Sequence, residues 1–139
     1  ESTPRQTQVP NGWKKFAVGP VTFFLPPKLE RVGLPGNADV IEAFCGDTVS
    51  YVNYAYGEHV PSSINRWSGK IVESSIGSHR ALINIWEYDK IEQRVNNKLV
   101  DGQILYVPDV GDGKHGFEIY IVCDDSRLIE QIFATVEIH

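Results

Sequence analysis

Methionine is missing from all 139 residues, and the chain starts at Glu1. A translated polypeptide opens with methionine, so the sequence reads as a processed chain. A removed export signal is the first expectation and a trimmed cytosolic domain the alternative. Cysteine is nearly missing too, with only Cys45 and Cys123. They have no CxxC spacing, which excludes a redox motif or a zinc knuckle; a disulfide and two free core thiols both stay open. No apolar run approaches the ~20 residues of a membrane-spanning helix. Basic charge is in short supply, 13 Lys and Arg against 18 Asp and Glu, for a net charge of −5. That balance excludes the clustered cations of a non-specific nucleic-acid binder or a polybasic membrane-surface protein.

What is present is ordinary globular material. Hydrophobic residues make up 42% and charged residues 22%, a composition that supports one domain of this length with a core of its own. Residues 1–12 are polar, hold Pro4 and Pro10, and read as a flexible tail or linker; the domain runs over 13–139.

Alternating apolar positions place most of the elements. Residues 16–25 give one or two short strands broken at Gly19-Pro20, and Pro26-Pro27 stops them. Residues 39–44 carry Val40, Ile41 and Phe44 at the spacing of one helical turn. Residues 48–56 form a strand with Val49, Tyr51 and Ala55 on one face and Val52, Tyr54 and Tyr56 on the other. Strands follow at 68–76 and 79–88, joined by a turn at Gly77-Ser78. The second is apolar on both faces, which predicts a central strand covered on both sides. Residues 89–98 are charged and ambiguous. Strands at 99–107 and 116–123 flank a Gly-rich loop, and Cys123 shares the face of Phe117, Ile119 and Ile121. Asp124 or Asp125 caps a closing helix whose apolar stripe is Leu128, Ile129, Ile132 and Phe133, and a last strand or extended end follows it.

The order of these landmarks carries a resemblance. "FFLPP" ends the early strand, "GNADVIEAF" leads into "VSYVNYAYG", "GKIVESSIGSHRALINIW" forms a hairpin, and "IEQIFATVEI" closes the chain after "FEIYIVC". Over about 13–138 the chain resembles bacterial exported domains of the PsbP-like α/β/α sandwich class. The resemblance implies a central antiparallel sheet flanked by short helices, and partners that are proteins. Its motifs are packing and turn patterns, so it implies no activity and transfers no functional residue.

Chemistry is thinly represented. His59, His79, His115 and His139 have no i, i+4 pair and no neighbouring cysteine. The loop from Asp109 to His115 is short of carboxylates for a calcium loop, and Lys114 is followed by His115 rather than the Ser or Thr of a phosphate loop. Ser74 and Ser75 lack the GxSxG setting of a nucleophile elbow. What remains is aromatic: Tyr54, Tyr56, Trp67, Trp86 and Tyr88, with His59 and Arg66, are of the residue types that anchor interfaces. They are the candidate recognition surface for a protein or glycan, and packing beneath flanking elements is their other use.

The sequence therefore predicts an α+β domain, a central antiparallel sheet flanked by short helices. The expected function is a non-enzymatic protein-binding or assembly module in the exported fraction, needing no cofactor and no metal. A small hydrolase with a site scattered in sequence and a small-ligand carrier are the alternatives.

Overall fold

The computed structural model describes residues 9–32, 40–46, 49, 51–58, 70–85, 94–95, 98–99, 101–123 and 125–139. In chain order the elements are β1 (Lys14–Val18), β2 (Val21–Leu25), β3 (Glu30–Val32), β4 (Val40–Cys45), β5 (Tyr51–Gly57), β6 (Lys70–Ile76), β7 (His79–Ile85), β8 (Arg94–Val95), β9 (Lys98–Leu99), β10 (Asp101–Val107), β11 (Gly116–Cys123), α1 (Ser126–Phe133) and β12 (Glu137–Ile138). Seven strands build one antiparallel sheet in the order β3-β4-β5-β11-β10-β7-β6. A second antiparallel sheet has the order β1-β2-β12, and β8 pairs with β9 alone.

This architecture corrects the α+β expectation. The central antiparallel sheet is there, but α1 is the one helix among the described residues, and the chain is mostly β. One face of the large sheet is covered by the three-stranded sheet together with α1, not by a helical layer. The sandwich with flanking helices implied by the PsbP-like resemblance is not what these residues form. The predicted helical turn at 39–44 is instead β4, an interior strand between β3 and β5. Three apolar positions over so few residues satisfy both the helical and the strand period, and pairing on both sides decides for the strand. The strand read at 79–88 is β7 as far as Ile85, with 86–90 outside the described residues. It lies second from an edge; the central strand is β11.

The core lies between the large sheet and its cover. Phe23 and Leu25 from β2 meet Val52 and Tyr54 from β5, Phe117 and Ile119 from β11, and Ile129 and Ile132 from α1, all buried. Phe23 is its aromatic hub, with ring centroids 5.0 Å from Tyr54 and 5.7 Å from both Phe16 and Phe117. Such pairs add roughly 0.5–1.5 kcal/mol each beyond their area burial. On the opposite face, Ile104 and Val122 are buried with Tyr51, Tyr106 and Tyr120 packed against them.

Local chemistry ends each element where the sequence places a signal. Gly19-Pro20 and Gly77-Ser78 are both two-residue hairpin loops, closed by the pairs Val18↔Val21 and Ile76↔His79. Gly19 has φ 56° and Gly77 φ 59°, whereas Pro20 and Ser78 have negative φ. This is the type II′ pattern, whose twist matches the flanking strands. The Asp125 carboxylate accepts from the Arg127 N–H at 3.0 Å and caps α1; Asp124 lies outside the described residues. At the other end the Thr135 hydroxyl donates to the Ile132 carbonyl at 2.7 Å and accepts from the Phe24 N–H at 2.9 Å. That pair of bonds ties the end of α1 to β2 and so fixes where the helix stops along the large sheet.

Cys45 and Cys123 are not joined in a disulfide. Phe44 and Ile121 both register with Val52, so Phe44 and Cys123 share the core face. Cys45 therefore points to the opposite face, and the two sulfurs lie on different sides of one sheet.

Candidate functional site

The site grows out of a mismatch in width. Helix α1 is eight residues long and packs over β11, β10 and β2. The large sheet continues beyond it through β7 to β6, most of whose residues stand exposed. Val72 on β6 stands 36% exposed although its cross-strand neighbours Ile83 and Leu105 run inward to the core. The result is a groove of about 380 Å³ with Val72, Ile83 and Ile85 as its floor and Glu130, Phe133 and Ala134 as its helical wall. At ~30 Å³ per water this is room for about a dozen waters, or a few apolar side chains.

A second hollow of about 440 Å³ adjoins it, lined by Gly77, Val136, Glu137, Ile138 and His139. The two share Ser75, Ile76, Phe133 and Ala134, and so make one continuous channel between the β6 edge and the end of α1. The ionisable side chains that line it are Glu130, Glu137 and His139.

The channel runs beside an open sheet edge. Among the described residues β6 has a neighbour only on its β7 side. Six of its seven residues are exposed and the seventh, Ile76, is half-buried. The two-residue loop fixes which backbone groups are free. Ile76 and His79 close the hairpin, so Ile76, Ser74, Val72 and Lys70 bond to β7. By alternation the N–H and C=O groups of Ile71, Glu73 and Ser75 point to the outer edge. Ile71 is 44% exposed on the opposite face. Beside it Arg80 donates to Glu73 from Nε at 3.3 Å and Nη2 at 2.9 Å, which holds the Glu73 carboxyl below its ordinary range.

In the loop 108–115 the Asp109 carboxylate accepts from the Gly111 and Gly113 N–H groups, at 2.8 and 2.9 Å. The Asp112 carboxylate accepts from Lys114 and His115, both at 2.8 Å, and its second oxygen pairs with His115 Nδ1. These backbone donors, with His115, hold Asp112 down to a pKa of about 2. The Tyr56 ring stacks on His115 with centroids 5.2 Å apart, and burial followed by the Asp112 charge raises its own pKa. An aspartate orienting a histidine is half of a catalytic relay. No serine or cysteine is brought to this pair by any described contact, and both loop carboxylates already accept from turn N–H groups. Among the described residues no three metal-ligating side chains converge.

Of the aromatic surface expected from sequence, Tyr54 is 3% exposed and belongs to the core. Tyr56 is half-buried between Gly19 and His115. His59, Arg66, Trp67, Trp86 and Tyr88 lie outside the described residues. The groove residues escaped the sequence reading because each is an unremarkable strand or helix position. The one available signal was the alternation in "KIVESSI", which puts polar groups on both faces of a strand and so marks an edge.

A scan against protein-family models and a search of the curated proteins return no match. No helix among the described residues is long and apolar enough to cross a membrane.

Proposed function

We propose that this chain is a non-enzymatic protein-binding module that takes an extended segment of a partner protein as an eighth strand along β6. The observation that carries the reading is the β6 edge itself: a seven-residue strand with six residues exposed, lying beside a largely apolar channel. Main-chain bonds to Ile71, Glu73 and Ser75 would supply affinity, and side chains at alternate positions would enter the channel, as in strand addition generally. Exposed edges of this length are a hazard that folded proteins usually cover or bulge away, so an open one fits a receiving surface.

The test is selection of seven-residue peptides from a random displayed library, followed by amide exchange on the folded protein. Peptide binding is expected to protect the N–H groups of Ile71, Glu73 and Ser75. Ser75→Pro removes an outward N–H without touching a β7 bond and is expected to abolish binding while the melting temperature holds. Selected peptides that bind Ser75→Pro as well as the parent, or that protect amides elsewhere, would refute the reading.

A further inference from the structure

The strand-addition reading leaves the partner's chemistry open, and the channel narrows it. Its floor is apolar, and among the described residues the carboxylates of Glu130 and Glu137 are the acidic side chains on its lining, one in each hollow, with His139 Nε2 3.8 Å from Glu137. Lys70 lies on the face of Val72 at the start of β6, in register with Ile85, but is not part of the lining, and Arg80 is engaged with Glu73 on the opposite face. The whole chain adds to this field with its net charge of −5. A strand laid on β6 sends alternate side chains toward α1, where Glu130 stands beside Phe133.

Resting on that strand-addition reading, we infer that the partner segment is cationic: an extended stretch with branched aliphatic residues at alternate positions and a Lys or Arg among them that pairs with Glu130. An acidic or neutral segment would bring like charge, or none, to a channel whose fixed charges are negative. The aliphatic stem of Lys or Arg would run along Phe133 while its head reaches the carboxylate. A second copy of the chain fits less well, because the β6 edges in antiparallel register about their centre would set Glu73 opposite Glu73, and like charges directly opposite are unfavourable.

The experiment is the same seven-residue library, selected in parallel on the parent protein, on Glu130→Gln and on Glu130→Lys, with helix content checked for each. Glu130 is exposed on α1, so both variants are expected to fold. Parent selection is expected to enrich Lys and Arg at one register position. Glu130→Gln should weaken an enriched peptide by about two- to fivefold, the range of a solvent-accessible ion pair. Glu130→Lys should replace the cationic preference with Asp or Glu. The parent interaction should also weaken as salt rises. Peptides that protect the β6 edge yet show no charge preference, or whose preference survives Glu130→Lys, overturn the inference and leave strand addition standing. A library that yields no β6-protecting peptide overturns both.

Discussion

Gly19 sits under the ring of Tyr56. A Cβ added at Gly19 would lie 2.4 Å from Tyr56 Cζ and 2.7 Å from both Cε2 and the phenolic oxygen. Gly77 supplies a matched control, because it holds the same place in the same type of turn, with nothing within 4 Å of its Cβ position. Gly19→Ala and Gly77→Ala share the backbone cost of an L-residue at positive φ, about 1–2 kcal/mol. Only Gly19→Ala also displaces Tyr56 from His115. Overpacking of this kind costs roughly 1–3 kcal/mol. For 139 residues, an unfolding entropy of ~2.1 cal/mol/K per residue totals about 0.3 kcal/mol/K. The excess should therefore lower the melting temperature by about 3–10 °C more for Gly19→Ala than for Gly77→Ala. Scanning calorimetry on both variants reads this directly. In a Tyr56→Ala background the excess should vanish, since the two positions then differ in nothing but sequence context. Equal losses for the two alanines in the parent, or an excess that survives Tyr56→Ala, would refute the account of how Tyr56 is seated.

Three further outcomes are expected. Asp125→Ala leaves the first N–H groups of α1 without their side-chain acceptor and should cost about 1 kcal/mol, read as a fall of about 3 °C in melting temperature. Asp109 and Asp112 both titrate below the ordinary 3.8 in the folded chain, Asp112 at about 2, because backbone N–H groups hold their charged forms. Their contribution is complete above pH 3.8 and is lost as the pH falls toward 2, so acid unfolding of Asp112→Asn should lose its steepness in that window. Cys45 is half-buried and Cys123 fully buried, on opposite faces, so a thiol reagent should label one site in the native protein and two after denaturation. A single disulfide, giving none in either state, would refute the assignment of faces.

A helix-capping aspartate at 124 or 125, the turns at Gly19-Pro20 and Gly77-Ser78 and the face of Cys123 were legible in the sequence, because each depends on a few neighbouring residues. Strand β4 was not, because Val40, Ile41 and Phe44 fit two periods and only pairing with β3 and β5 selects one. One residue of the expected aromatic surface was likewise decided by distant packing. Tyr54 looks like an interface residue by type, yet the arrival of Phe23 from β2 makes it core.

The sequence by itself determined the local elements: where strands alternate, where glycine reverses the chain, where the last helix begins. Those outcomes follow from backbone sterics and from hydrogen bonds spanning three or four residues. Tertiary structure alone decided that β11 runs between β5 and β10, and that the sheet extends past its helical cover on the β6 side. These depend on pairings between residues far apart in the chain. Nothing in "KIVESSI" or "SRLIEQIF" taken singly records that one will stand opposite the other across an open channel.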